Sequence, residues 1–327
     1  MQFKALLTTE NNGSYQTQLV TRHVDELPPG ELLIKVQYSC LNYKDALSTS
    51  GHPGITKNFP HTPGVDAVGT VAHSDSDDFT EGDAVIVTGH DFGMHTDGGL
   101  SQYIRVPAAW AIPLPQGLSA QQTMQLGTAG LTAGLSLLKL EAMGAKPGDS
   151  VLVTGATGGV GCLSVALLAR CGYKAIASSG KAQYADKLKE LGASEVIDRQ
   201  QLSDASSKAL LKPRWQHAID CVGGETLVNI FKTLAPGGSV AASGLVASPQ
   251  INATVYPFIL RGINLLGIDS VGVGNASRLA VWQRLASDWQ LQLPQDFITE
   301  IPLEQAYDYI TQFKQGDIFG RIVVKIS

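Results

Sequence analysis

Cysteine, aromatic residues and charge are all scarce in this chain of 327 residues, and each shortage excludes something. The four cysteines, Cys40, Cys162, Cys171 and Cys221, are scattered through apolar surroundings without ligand-like spacing. That excludes a disulfide scaffold and a cysteine-rich metal lobe, and predicts buried free thiols in a reducing, cytoplasmic compartment. Charged residues are only 16% of the chain and the net charge is −5, so no basic field invites nucleic acid or an anionic membrane. Apolar runs stop well short of a membrane span. The opening M-Q-F-K-A-L-L lacks the order of an export signal, a charged region and then an apolar core. Internal repeats and low-complexity tracts are also missing.

What is present is 44% hydrophobic residues, 35 glycines and a length too great for one ordinary core, so two domains are expected. Residues 1–120 read as β-rich. Phe3–Thr8, Leu32–Ser39, Val65–Ala72, Ala84–Thr88 and Ser101–Val106 are short strands separated by turn chemistry such as Pro28-Pro29-Gly30 and Glu81-Gly82-Asp83. Asn42–Ser50 is the one short helix expected there. The texture changes near Ser119, where a helical stretch to Leu138 is interrupted by Gly127-Thr128-Ala129-Gly130.

From Val151 strands and helices alternate. The strands are Val151–Thr154, Lys174–Ser178, Glu195–Asp198, Ala218–Val222 and Ser239–Val246. The helices run to Arg170, over Ala182–Leu191 and over Glu225–Leu234. This is the pattern of a doubly wound α/β domain with a parallel sheet. Arg261–Asp269 reads as a further strand, Arg278–Leu291 as a helix, and Gln200–Pro213 as a surface loop. The last strand, Arg321–Ile326, suggests that the chain returns to its first domain. The expected division is therefore residues 1–120, completed by about 290–327, and a nucleotide domain over 121–289.

The chain is organised around V-L-V-T-G-A-T-G-G-V-G, Val151–Gly161. An apolar strand runs into four glycines and then into an apolar helix. Glycines let backbone approach phosphate closely, and a helix N-terminus offers unpaired N–H groups with partial positive charge. A glycine run alone is weak; placed between strand and helix it predicts a dinucleotide site. The end of the second strand says which dinucleotide. An acid there would accept from the ribose 2′-OH of NAD, but the chain has Ser178-Ser179-Gly180-Lys181. Ser179 donates a hydrogen bond and Lys181 pairs with a phosphate, with Arg199 a second cation just after the third strand. The reading is NADP(H), against a solvated turn carrying an ordinary lysine.

Five stretches together resemble one family: L-N-Y-K-D-A-L (Leu41–Leu47), P-G-V-D-A-V-G (Pro63–Gly69), G-T-A-G-L-T-A (Gly127–Ala133), T-G-A-T-G-G-V-G (Thr154–Gly161) and I-D-C-V-G-G (Ile219–Gly224). The chain is similar to the medium-chain dehydrogenase/reductase superfamily, in its zinc-free quinone oxidoreductase branch. Tyr256–Val271 and S-S-G-K are similar to the YhdH-type subfamily, the NADPH-dependent acryloyl-CoA reductases. The resemblance implies a GroES-like catalytic domain beside a Rossmann domain, and a homodimer through a strand near Gly262–Asp269. It also implies cofactor contacts from Tyr43, Thr157, Gly158, Gly159, Val160, Ser179, Gly180, Lys181, Arg199, Leu245, Ile259, Ser270 and the Gly320-Arg321 region. Close relatives often carry Arg where this chain has Lys181, which keeps the charge and loses the bidentate fork.

Zinc members of the superfamily bind catalytic metal with a Cys matched here by Asn42 and a His matched here by Val65. Val cannot ligate, and Asn is a poor zinc ligand. The His90, Asp91, His95, Asp97 group in a glycine-rich loop reads as solvated rather than metal-bound. Without a Lewis acid the expected chemistry is hydride transfer to an activated C=C, in acryloyl-CoA, or to a quinone; a non-catalytic NADPH-binding role is the other class. Tyr43 is the candidate for orienting substrate or relaying a proton, or else an aromatic packed at a helix start. Asn42 holds a carbonyl or a ribose. Thr128 either bonds the nicotinamide side or lies in a stretch whose glycines permit close packing. Arg261 binds an acyl-CoA phosphate or is structural.

Overall fold

The computed structural model describes residues 1–204, 206, 208–316 and 318–327. Ala205 and Ser207, in the loop expected over 200–213, lie outside the described residues. In chain order the elements begin with β1 (Gln2–Asn11), β2 (Ser14–His23), β3 (Leu32–Cys40), α1 (Tyr43–Ser48), β4 (Asp66–Ser74), β5 (Ala84–Thr88), β6 (Tyr103–Val106) and β7 (Ala111–Pro113). Next come α2 (Ala120–Ala142), β8 (Ser150–Val153), α3 (Gly159–Arg170), β9 (Lys174–Ser179), α4 (Ala185–Glu190), β10 (Glu195–Asp198), β11 (Trp215–Asp220), α5 (Gly224–Thr233) and β12 (Leu234–Ala242). The chain ends with α6 (Tyr256–Arg261), β13 (Asn264–Gly267), α7 (Asn275–Leu285), β14 (Ile298–Pro302), α8 (Ala306–Gln315) and β15 (Arg321–Lys325). Two compact units result. One holds residues 1–128, 270–286 and 296–327, the other 129–269 and 287–295.

The first unit is β-rich. Its main sheet runs β14-β15-β3-β4-β5-β7, with β6 also paired to β3, and β1 with β2 forms a separate antiparallel hairpin. Residues of β3 alternate, so Leu32, Ile34 and Val36 point into a core shared with Val85, Leu100, Ile104, Ile322 and Val324. Each such aliphatic side chain contributes about 1.5–3 kcal/mol by leaving water. The terminal strand β15 closes on β3 with Val323 opposite Cys40. The hairpin turns at Asn12-Gly13, both with positive φ (51° and 79°), which is the geometry an Asn-Gly pair favours. β2 was not expected from the sequence, although that dipeptide marks its turn.

The second unit is a six-stranded sheet in the order β10-β9-β8-β11-β12-β13, every pairing parallel. Counted from β8 this is the order 3-2-1-4-5-6 of a doubly wound dinucleotide fold, whose strand order reverses between β8 and β11. Leu152, Ile176, Ile197, Trp215, Ile230, Phe231 and Val240 form its core. Three local expectations change. The strand expected from Arg261 begins only at Asn264, because residues 256–261 form a short helix with Pro257 at its start and Gly262 closing it in the left-handed region. Helix α7 belongs with the β-rich unit, where the buried Arg278 donates to the carbonyls of Thr88 (2.8 Å), Val271 (2.6 Å) and Val273 (3.0 Å). β14 and α8 were unassigned from the sequence. No helix among the described residues is long and apolar enough to cross a membrane.

Helix α2 breaks at Gly127, whose φ of 53° and ψ of −154° are open essentially to glycine alone. A β-carbon there would sit 2.5 Å from Cys40 Sγ and 2.7 Å from Asp66 Oδ2. Gly127→Ala is therefore expected to destabilise the protein by roughly 2–5 kcal/mol, strain and overpacking acting together. Urea unfolding checks this; a loss under about 1 kcal/mol would refute the constraint.

Candidate active site

In the parallel-sheet unit, β8 leads through Thr154 into Gly155, whose φ is 59°. Gly158 caps α3, and helix geometry leaves the N–H groups of Gly159, Val160 and Gly161 without intrahelical partners. A β-carbon at Gly161 would run into Gly155 O, so only glycine lets the helix start so close beneath the turn. The turn is held from below by a buried acid. Asp220, at the end of β11, accepts from Thr154 Oγ1 (2.6 Å) and from the N–H groups of Val222 (3.3 Å) and Gly223 (2.8 Å). Burial pushes its carboxyl above the usual range, while these donors pull the other way. Thr154 Oγ1 in turn accepts from Cys221 N–H (3.1 Å).

The parallel pairing of β9 with β10 sets Ser179 opposite Asp198, which brings Arg199 alongside Gly180. A β-carbon on Gly180 would lie 2.6 Å from Arg199 Nε, so the Arg199 side chain packs against a bare backbone. Ser179 Oγ accepts from Lys181 N–H (3.0 Å), and Lys181 Nζ stands 5.9 Å from the centre of the Tyr184 ring. The acid facing this edge, Asp198, has a carboxylate oxygen engaged by Gln200 N–H (2.7 Å). Gly158–Val160, Ser179, Gly180, Lys181 and Arg199 thus share one edge of one sheet. Leu245 and Ile259, in the same unit, are 63% and 71% exposed.

The remaining candidates lie in the β-rich unit, around Asp66 at the start of β4. This carboxylate has no solvent exposure. It accepts from Thr128 N–H (2.9 Å to Oδ1, 3.0 Å to Oδ2), Thr128 Oγ1 (2.6 Å), Asn42 Nδ2 (2.8 Å) and Cys40 Sγ (3.1 Å). Arg321 closes the other side, donating to Gln125 O (3.0 Å) and Cys40 Sγ (3.2 Å). The Cys40 thiol is pushed well up, by burial first and then by Asp66, so it acts as a donor and not as a nucleophile. Both donors of Thr128 are thereby committed to Asp66, and Arg321 is turned inward. Tyr43 begins α1 with 53% of its surface exposed, and Ser270 is buried.

Asp45 lies one turn into α1 and is wholly buried. It accepts from Asn42 N–H (2.6 Å) and Val65 N–H (3.2 Å), which ties the helix start to the Pro63-Gly64-Val65 turn. Asp66, Cys40 and Asp220 had no assigned role from the sequence. Their signal was present: an acid flanked by apolar strand residues, as in V-D-A-V and A-I-D-C-V, must find donors on folding. Arg261 has its guanidinium on the carbonyls of Lys232 (2.8 Å), Leu234 (3.0 Å) and Leu211, which is a structural role.

A metal does not fit the donors around Asn42. The Asn42 amide nitrogen faces Asp66, Val65 offers no ligand atom, and Cys40 is a thiol engaged by Asp66 and Arg321. In the loop after β5, Asp97 is engaged by Arg22 (2.6 Å) and Thr62 N–H (3.0 Å), while the His90 ring stacks on Trp110. No group of three or more His, Cys, Asp or Glu is placed to hold a metal among the described residues.

A GroES-like β-rich unit with a dinucleotide-type sheet is an alcohol-dehydrogenase architecture. Residues 28–116 match the alcohol dehydrogenase GroES-like domain, and 159–287 match the zinc-binding dehydrogenase model. The Bacillus subtilis protein named "Putative quinone oxidoreductase YhfP" is 46% identical over 99% of both chains. Its crystal structure with NAD bound superposes with a TM-score of 0.97 over the full length of both. The acrylyl-CoA reductase AcuI of Ruegeria pomeroyi is 39% identical over 99% of each. The yhdH oxidoreductase of Salmonella enterica, solved with NADP, is 39% identical, with a TM-score of 0.94 over 100% of each chain. The chain belongs to the medium-chain dehydrogenase/reductase superfamily, in the YhdH-type branch of these proteins.

Burial raises the Asp45 carboxyl from 3.8 to about 7, against the pull of its backbone donors. Between those values the native protein keeps a proton that the unfolded chain has released, so stability falls as pH rises from about 4 to 7 and is level above. Asp45→Asn removes this slope. From pH 5 to pH 8 the wild type is expected to lose on the order of 2 kcal/mol more than the variant in urea unfolding. Parallel curves would show that Asp45 is ionised throughout.

Proposed function

We propose that the chain is an NADPH-dependent reductase of activated carbon–carbon double bonds, with acryloyl-CoA as substrate and propionyl-CoA as product. The observation that carries this reading is the β9 edge, with two cations, a serine and a bare glycine where an NAD site would present an acid. Thr157–Val160 and the open first turn of α3 receive the pyrophosphate, Gly161 allowing the approach. Lys181 and Arg199 take the 2′-phosphate, and Ser179 bonds to it. Leu245, Ile259, Ser270, Thr128 and Arg321 remain in the proposed cofactor surroundings, although the N–H and hydroxyl of Thr128 are engaged by Asp66 and the Arg321 guanidinium by Gln125 O and Cys40 Sγ.

When bound, NADPH supplies a hydride to the β-carbon. The chain's own residues do the rest. Charge then gathers on the thioester oxygen, and an exposed O–H is needed to bond to it and to return a proton to the α-carbon. Tyr43 presents such a phenol, anchored at the first position of α1 by the Asp45 clasp. Quinone reduction is the second reading, favoured by the name of the 46% identical relative; it uses the same cofactor site. The reading includes a cytoplasmic homodimer. The four cysteines are free thiols, β13 is the outer strand of its sheet, and Leu265 and the α6 residues Tyr256, Ile259 and Leu260 are exposed apolar groups beside it.

Lys181→Ala and Arg199→Ala are each expected to raise the NADPH dissociation constant about tenfold or more while leaving NADH unchanged, as loss of a charge-assisted bond implies. Fluorescence titration with both nucleotides checks this, and an equal loss for both would remove the 2′-phosphate assignment. Turnover is tested by following NADPH oxidation with acryloyl-CoA, crotonyl-CoA and benzoquinone in parallel. Acryloyl-CoA should give the highest kcat/KM, and Tyr43→Phe should lower kcat about 100-fold, within the usual range for general acid catalysis. No turnover with any of the three, despite NADPH binding, would overturn the enzyme reading.

A further inference from the structure

Within the parallel-sheet unit, a cavity of about 590 Å³ lies between α5, the short helical turn Arg199–Leu202 and the start of β11. None of the residues proposed for the dinucleotide lines it, and its size is in the range of small-molecule sites, roughly 300–1,000 Å³. Ile176, Leu202, Leu211 and Trp215 give it apolar walls. Those walls are tied together. The Arg214 guanidinium lies over the Trp215 ring, 4.3 Å from its centre, and donates to Gln201 O (3.0 Å). Arg214 N–H donates to Thr233 O (2.9 Å) and the Trp215 indole N–H to Thr233 Oγ1 (3.1 Å), which joins β11 to the end of α5. Asn229, also in the lining, is the exception. Only 5% of it is exposed, yet its Oδ1 has no donor, and its Nδ2 makes no hydrogen bond among the described residues. A leucine would fill this place on the buried face of α5 without the penalty of an unmet amide. A single water, roughly 30 Å³, is far smaller than the space the amide borders.

We infer that this cavity is a second binding site, for a flat and mostly apolar ring whose edge carries an N–H next to a carbonyl or ring nitrogen, with Asn229 reading that edge. A carboxamide matches such an edge with two bonds: its oxygen accepts from the N–H, and its nitrogen donates to the neighbouring acceptor. Asparagine pairs with the edge of adenine in the same way. The aliphatic and indole walls suit the faces of a ring, which need contact area and no hydrogen bonds. A nucleobase and a bicyclic lactam share this chemistry. The site is separate from the proposed dinucleotide edge and does not depend on it.

The test uses the full-length protein and two pairs of probes, uracil with 1,3-dimethyluracil and 2-quinolone with N-methyl-2-quinolone, titrated by calorimetry. Methylation removes the N–H and keeps the ring. In the pair that binds, the methylated probe should bind the wild type about tenfold more weakly or worse, the loss of one buried bond. Tighter binding of uracil than of 2-quinolone assigns the site to nucleobases, and the reverse order assigns it to lactams. Asn229→Leu should abolish the difference between a probe and its methylated form, since no amide is left to read the edge. Asn229→Ser gives the same reading if the leucine variant does not fold. Failure of both uracil and 2-quinolone to bind the wild type would overturn the site, as would equal affinity for the methylated probes. Discrimination that survives the Asn229 substitutions would place the probes elsewhere on the protein and overturn it too.

Discussion

A carboxylate sealed from water must be saturated with donors, and in the β-rich unit this single requirement organises the site. Asp66 has no exposed surface. Leaving even one of its lone pairs unmatched would cost about 1–3 kcal/mol, and more for a charge. Its donors come from four separate places in the chain: the end of β3, the start of α1, the break in α2 and, one step removed through Cys40, the start of β15. Gly127 must take a conformation barred to other residues so that the next N–H can reach the carboxylate. The acid thus fixes the kink at Gly127.

The parallel-sheet unit uses the same device with other residues. Asp220 is buried at the end of β11, and its donors, Thr154 Oγ1 and the N–H groups of Val222 and Gly223, sit on both strands that flank the reversal in strand order. The glycine turn therefore does not rest on glycines alone. Flexible residues allow the close approach at Gly161, but the anchored Thr154 decides where the turn begins. In each unit a short segment proposed to meet a ligand is held by a buried acid.

How much of this was legible follows from which forces are local. The alternation from Val151 onward, the β8–turn–α3 element and the cationic edge at Ser179–Lys181 were readable because periodicity and turn chemistry act over a few residues. Strand β2 had a readable turn at Asn12-Gly13 but little apolar alternation, since its burial comes from pairing. The strand expected over Arg261–Asp269 begins only at Asn264, because Arg261 ends a short helix whose apolar content does not distinguish it from a strand. The Asp66 hub was not legible. Its partners lie up to 62 residues away in the chain, and no local pattern says which donor a buried acid will find. The roles of Thr128 and Arg321 depend on that choice, which is why their side chains face inward here.

The polarity of the hub bears on the chemistry. Where a dehydrogenase holds a cation beside its substrate, a simple carbonyl can be reduced, because the metal takes up the negative charge as it forms. Around Asn42 the chain has an apolar Val65, a thiol held protonated and an amide whose N–H groups are turned away. None of these stabilises an alkoxide. A conjugated acceptor does not require it: hydride added at the β-carbon sends its electron pair through the π-system to an oxygen that already shares charge with the thioester, and a quinone spreads it over a ring. Such acceptors need one well-placed O–H and a firmly held hydride source. The polar hub, the phenol of Tyr43 and the cationic edge proposed for the 2′-phosphate are matched to that requirement.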